Sequence, residues 1–170
     1  MKAYTNVVIT LFFTAIFFGT IQISAAQDKK QTKEIITQNL IANQQYVFYA
    51  QNVTPMSGRQ RYLTSEYTVN IFKDTIQCDL PYFGRAYSAP MSASDNGIKF
   101  TSTNFNYTID STKKGKYKVT IKPKDAQDVQ VMNFTIFSNG TASLNVSCTN
   151  RQAISFNGYI EARKQKKLSN

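Results

Sequence analysis

The chain has 170 residues, enough for one or two domains and ample for a single core. It carries 20 Lys and Arg against 10 Asp and Glu, with 42% apolar residues, which excludes both a disordered chain and a polytopic membrane protein. It contains no His, and this removes Ser-His-Asp triads, HExxH zinc sites and the commonest neutral-pH proton carrier together.

Residues 1–26 have the organisation of a secretory signal. Lys2 supplies the positive start, Val7–Ile21 is an uncharged apolar run, and Ser24-Ala25-Ala26 offers small residues before a cleavage ahead of Gln27. A transmembrane anchor is the rival, but the run falls short of the ~20 residues that span a bilayer. The expectation is an exported protein.

Residues 27–45 form the next segment, where Ile35, Ile36, Leu40 and Ile41 recur at helical spacing among Lys and Gln. They predict one short amphipathic helix with those four residues as its apolar face, docked on the domain or fraying at its start, with membrane-surface binding as the functional alternative. From Tyr46 to Ala162 the period changes to two. Tyr46–Ala50 is a β-rich run, and Arg61–Leu63, Tyr67–Lys73 and Thr75–Leu80 follow. A loop from Pro81 to Asn96 leads into Ile98–Ser102 and then Asn104–Asp110, with Phe105, Tyr107 and Ile109 facing one way. Lys113-Lys114-Gly115-Lys116 is a hairpin loop, and Tyr117, Val119 and Ile121 alternate with lysines in the strand after it. Val129–Phe137 and Thr141–Cys148 are joined by Ser138-Asn139-Gly140, a strong hairpin signal, and Ala153–Ala162 closes the series.

No segment between these runs is long enough to cross over for parallel pairing. The prediction is a mainly β domain, an antiparallel meander of eight or nine strands over residues 46–162. Closure into a lipocalin-like barrel removes the sheet edges; a two-layer β-sandwich is the alternative. Residues 163–170 form a basic tail with no apolar pattern.

Cys78 and Cys148 are the only cysteines, each aligned with apolar neighbours at alternate positions. A disulfide between them would stabilise by roughly 4 kcal/mol through loop closure; two buried free thiols acting as small hydrophobes fit the pattern equally. The segment Tyr82, Phe83, Arg85, Tyr87 is the most distinctive. An Arg among aromatics can stack and can bind carboxylate or phosphate bidentately. The same residues, with Gly84 in a left-handed turn, would equally serve to plug the mouth of a barrel. Inward aromatics Phe105, Tyr107, Tyr117 and Phe156 are candidates to line a cavity for a lipid or other amphipathic small molecule, or else to fill the interior. Lys113, Lys114, Lys116, Lys118, Lys122 and Lys124 form a cationic strand face suited to an anionic envelope surface, or simply to solvent. Nucleic acid is not an expected partner, and no metal or cofactor motif is present.

The segments Leu80-Pro81-Tyr82-Phe83-Gly84-Arg85-Ala86-Tyr87-Ser88-Ala89-Pro90, Asn96-Gly97-Ile98-Lys99-Phe100, Val119–Asp125 and Ile154–Ile160 resemble, in order, the domain-of-unknown-function 4251 family of exported Bacteroides-type proteins. The resemblance runs from about Tyr46 to Glu161 and implies a Gram-negative envelope, but no catalytic residues. By lineage it also implies that Asp74-Thr75-Ile76 and Asp110-Ser111-Thr112 are candidate O-glycosylation sequences at Thr75 and Ser111. The functional expectation is a non-enzymatic binding protein for an apolar or amphipathic ligand. The alternative is an interaction protein that contacts another envelope component through its basic face and the 81–96 loop.

Overall fold

The structure is a computed structural model that describes residues 21–87, 97–112 and 115–163. Helix α1 spans Ile21–Ala42, longer at its start than the sequence predicts, and runs across the expected cleavage position. Nine strands follow: β1 Tyr46–Pro55, β2 Arg61–Ile71, β3 Ile76–Pro81, β4 Gly97–Ser102, β5 Phe105–Thr112, β6 Lys116–Pro123, β7 Val129–Phe137, β8 Thr141–Cys148 and β9 Ile154–Glu161. The chain separates into two compact units at Lys33–Glu34, so the last turns of α1 belong with the β domain.

All nine strands form one antiparallel sheet in the order β4-β3-β2-β1-β9-β8-β7-β6-β5. The first and last strands pair, Val47 opposite Glu161 and Pro55 opposite Ile154, and this ladder turns the meander into a nearly closed barrel. Because every neighbour in the order is antiparallel, the outermost strands β4 and β5 run in the same direction. Only Thr103 and Asn104 separate them, so β4 and β5 are two halves of one bent ribbon. Its first half pairs with β3 and its second with β6, which is how register stagger accumulates around a barrel.

The bend leaves backbone groups without ladder partners, and Asp125 supplies them. Its carboxylate accepts hydrogen bonds from Ser102 Oγ, from Thr103 N at 2.9 Å and from Asn104 N at 3.1 Å. Lys124 N donates to Asn104 O at 2.8 Å from the same loop. The Ser102 hydroxyl foremost, then the Thr103 amide, hold the Asp125 carboxyl below its ordinary range.

Alternation decides the core. On β3, Ile76, Cys78 and Leu80 are buried while Gln77 and Asp79 are exposed; on β8, Ala142, Leu144 and Val146 are buried. Phe48 and Phe134 meet edge-on at the centre, their rings 5.5 Å apart, with Phe156 also fully buried. Ile109, expected inward, is exposed. β1 continues past Ala50 to Pro55 through a bulge between Ala50 and Asn52, and β2 is one strand where the sequence predicts two runs. The bulge lies beside Gly158, where a Cβ would stand 1.9 Å from Tyr49 O, so the β1–β9 ladder needs glycine there.

The predicted helix face is shifted. Ile35 and Ile36 are exposed, while Thr37 and Ile41 are buried, with Leu40 half-buried beside them. Thr37 and Ile41 stand four apart on one face, which points at the hairpin turns rather than at an apolar groove. Thr37 Oγ1 lies 3.8 Å from the position of a Cβ on Gly140, and Glu34 Oε1 lies 3.3 Å from that on Gly115. Both glycines have positive φ, 86° and 64°, as their turns require. Gln44, at φ 52°, ends α1 with Gln45 N donating to Leu40 O and Gln44 N to Ile41 O, a Schellman closure built on a non-glycine residue.

Candidate functional site

The barrel has a helix end, where Tyr46, Phe137 and Thr141 lie, and a loop end, where Pro55, Arg61 and Ile154 lie. The sequence-predicted aromatic residues divide between the two.

At the helix end, Tyr107 OH donates to Ile41 O at 3.3 Å, and Tyr46 OH lies 3.2 Å from Tyr107 OH. A phenol has one proton, so with Tyr107 committed to the helix carbonyl, Tyr46 donates to Tyr107. Burial raises both phenols, Tyr107 to about 12 and Tyr46 well above its ordinary value. Tyr117 is half-buried on β6, packed with Phe105 against the core, and Phe156 is fully buried. These residues are core and helix dock, and they do not join the 82–87 segment.

At the loop end, residues 82–87 are strapped to residues 150–152. Ala86 bridges Arg151, Tyr87 N donates to Asn150 O at 2.8 Å, and Gln152 N donates to Arg85 O at 3.0 Å. Tyr82 turns inward, its hydroxyl proton shared between Arg85 O at 2.8 Å and Gln152 O at 3.0 Å. Burial and then the nearby Cys148 thiol raise the Tyr82 phenol, so it remains a donor. Gly84 does not take the expected left-handed conformation. A Cβ there would stand 2.5 Å from Tyr82 OH, so a larger residue would push that ring from its present position. Residues 88–96 of the predicted loop, and Lys113 and Lys114 of the hairpin, lie outside the described residues.

The keystone of the strap is Arg151, which sequence reasoning passed over. Its Nε sits 2.7 Å from Asp128 Oδ2, its Nη1 donates to Gly97 O at 2.8 Å, and its guanidinium lies 5.2 Å over the Tyr82 ring. One side chain therefore ties the 82–87 segment, the start of β4 and the loop before β7. No local pattern marks this residue, because its partners come from three distant segments.

With Tyr82 and Arg151 committed to structure, the remaining side chains face outward. Phe83 is exposed, with Arg61 5.1 Å over its ring; Tyr87 is 71% and Tyr62 83% exposed, and Met56 is 69% exposed on the β1–β2 turn. Arg59 and Arg85 are exposed beside them. The described residues of 55–63, 82–87 and 149–153 contain no Asp or Glu. Exposed rings among guanidinium groups with no carboxylate partner among the described residues form a rim that suits an anionic, partly apolar partner. Met56, Arg61 and Tyr62 belong to it although only the 82–87 stretch stood out in sequence; the polar, basic run Arg59-Gln60-Arg61 was the available signal.

Cys78 and Cys148 are both free thiols here. Burial foremost pushes Cys148 up to about 11 and Cys78 further, which makes both poor nucleophiles at neutral pH. Among the described residues no group of three or more His, Cys, Asp or Glu side chains is placed to hold a metal. Outside the barrel, Thr68, Asn70, Gln77, Asp79, Lys99 and Phe100 are among the residues that line an open trough of about 530 Å³, which holds an exposed Lys99–Asp79 ion pair. On the lysine face of β6, Lys118 stands directly opposite Asp110 of β5, and Lys116 lies 5.7 Å over the Phe137 ring. Among the described residues no helix is long and apolar enough to cross a membrane.

No curated protein matches the chain in sequence. In fold it is similar to the crystal structure of a DUF4251 family protein from Bacteroides eggerthii DSM 20697, with a TM-score of 0.57 and 12% identity over 77% of this chain and 88% of that one. Residues 28–160 match the family described as Domain of unknown function (DUF4251), a span that holds the last turns of α1 and nearly the whole barrel. The chain belongs to that family.

Proposed function

We propose that the protein is a non-enzymatic binding module of the cell envelope that recognises an anionic, amphipathic partner through its loop end. The observation that carries this reading is the exposed Phe83 ring under the Arg61 guanidinium, on a rim with no carboxylate among its described residues. Solvent-facing aromatics cost free energy unless something covers them, and Arg beside them selects for negative charge. The interior supports this outward reading over an enclosed ligand: Phe48, Phe134, Leu144 and Phe156 pack with essentially no exposure. The lysine face of β6 is the weaker candidate, since Asp110 stands against its central Lys118.

The test is an NMR titration of the isotopically labelled protein with a short-chain phosphatidylglycerol kept below micelle formation, against its phosphatidylcholine counterpart. Saturable shifts confined to residues 56–62 and 83–87, and stronger with the anionic lipid, support the reading. Shifts centred on Tyr107, Tyr117 and Phe156, or none that saturate, overturn it.

A further inference from the structure

We infer that the loop end is a seat for the surface of an anionic lipid bilayer. This rests on the preceding reading and deepens it by naming the partner's form. The apolar and cationic groups come from separate segments and stand exposed. Met56, Arg59, Arg61 and Tyr62 come from the β1–β2 turn and the start of β2; Phe83, Arg85 and Tyr87 come from the 82–87 segment.

Three separate links put these pieces at one end of the barrel: Pro55 opposite Ile154, Ala86 opposite Arg151, and Arg61 over Phe83. Met56 and Tyr87 stand on different segments of that end, each more than two-thirds exposed. A small ligand is held by concave walls that bury most of its surface. Exposed side chains spread over separate segments instead suit a broad, yielding surface. The composition suits that surface too. Tyr favours the headgroup level, Phe and Met enter the acyl boundary, and Arg meets phosphate. The formal net charge of +10 adds long-range attraction that orients approach. The strap beneath, with Arg151 bound to Asp128 and Gly97 O, holds the 82–87 segment without using the side chains of Phe83, Arg85 or Tyr87.

The experiment is co-sedimentation with large vesicles of mixed phosphatidylglycerol and phosphatidylcholine, and with pure phosphatidylcholine vesicles. It uses the protein as its host processes it, every variant carrying the same N-terminus by intact mass. Two variants test the rim: Arg59→Ala/Arg61→Ala/Arg85→Ala and Phe83→Ala/Tyr87→Ala. A third, Lys118→Ala/Lys122→Ala/Lys124→Ala, removes equal charge from the barrel wall; circular dichroism checks that each folds.

Wild type sediments with the anionic vesicles and is released by salt. The arginine variant loses about 100-fold in partitioning, roughly fivefold for each basic residue near an anionic surface. The aromatic variant loses about tenfold or more, and the lysine variant no more than a few-fold. Equal losses in the lysine and arginine variants, or an aromatic variant that binds like wild type, overturn the inference in favour of non-specific polyanion attraction. Saturable binding of short-chain phosphatidylglycerol without vesicle binding overturns the bilayer seat and leaves the binding module standing. Loss of both fells both.

Discussion

Replacement of Arg151 by Ala is the sharpest probe of the strap that presents the rim. The substitution removes an ion pair of 2.7 Å to Asp128 whose side chains are 19% and 26% exposed. Breaking a fully buried pair costs about 3–5 kcal/mol, because one charge is left unpaired. Partial exposure lets water reach the Asp128 carboxylate, which reduces this component to about 2 kcal/mol. The Gly97 carbonyl loses a charge-assisted hydrogen bond, adding about 1 kcal/mol after partial rehydration. The Tyr82 ring loses its cation contact, a further contribution of ~0.5 kcal/mol.

The expected destabilisation is therefore about 3–4 kcal/mol, read by equilibrium urea unfolding as a lower midpoint with an unchanged m-value. Arg151→Lys keeps the charge but not the fork, and is expected to retain the Asp128 contact while losing the carbonyl, at about 1–2 kcal/mol. A double-mutant cycle with Asp128→Asn isolates the pair, with a coupling energy of about 2 kcal/mol. Arg151→Ala within about 0.5 kcal/mol of wild type would refute the reasoning, since the strap would then hold through its backbone hydrogen bonds alone.

Four further outcomes follow from the fold. Gly158→Ala places a methyl 1.9 Å from Tyr49 O and forces β1 from β9, a loss of about 3 kcal/mol or more by thermal unfolding. Gln44→Gly relieves the left-handed residue at the end of α1 and stabilises by about 0.5–1 kcal/mol in the same assay. Asp125→Ala speeds amide hydrogen exchange at Thr103 and Asn104 while amides of β7 and β8 stay protected; because its folded carboxyl titrates below the ordinary range, this local protection persists at neutral pH and is lost as pH falls through the acid range. Cys148 rises from its ordinary 9.0 to about 11, so the folded protein holds this proton more tightly and stability declines as pH climbs from 9.0 to about 11. Urea midpoints in Cys148→Ser should lose part of that decline, and alkylation of the native thiol should stay slow at neutral pH.

The strands were legible where one face is core and the other solvent. Tyr117, Val119 and Ile121, and Leu144, Val146 and Cys148, announce β6 and β8 through period two alone, and Asn139-Gly140 fixes the hairpin between β7 and β8. Polar residues hid the rest. Gln51 and Asn52 end the apolar alternation of β1, yet the strand continues because β9 supplies its partners across a bulge. Thr103 and Asn104 resemble a turn between two strands, whereas a carboxylate from Asp125 makes them a bend within one ribbon. On α1, hydrophobicity pointed to Ile35 and Ile36, but Thr37 fits against Gly140 because a small side chain suits a tight turn. The candidate site was half visible. Phe83, Arg85 and Tyr87 stood out as a run, while Arg61 and Arg151 gain their meaning only from segments far away in the chain.

The β1–β9 ladder also sets the order of events during biogenesis. Val47 must wait for Glu161 on the last strand, so the cylinder cannot shut until all nine strands have emerged. Pairings of such long sequence separation are slow to nucleate. Until then β1 presents a raw hydrogen-bonding border to the crowd around it, a period in which misassociation competes with completion. Any factor that shields Tyr46–Pro55 from other strands during that interval would raise the yield of native protein without touching the finished molecule.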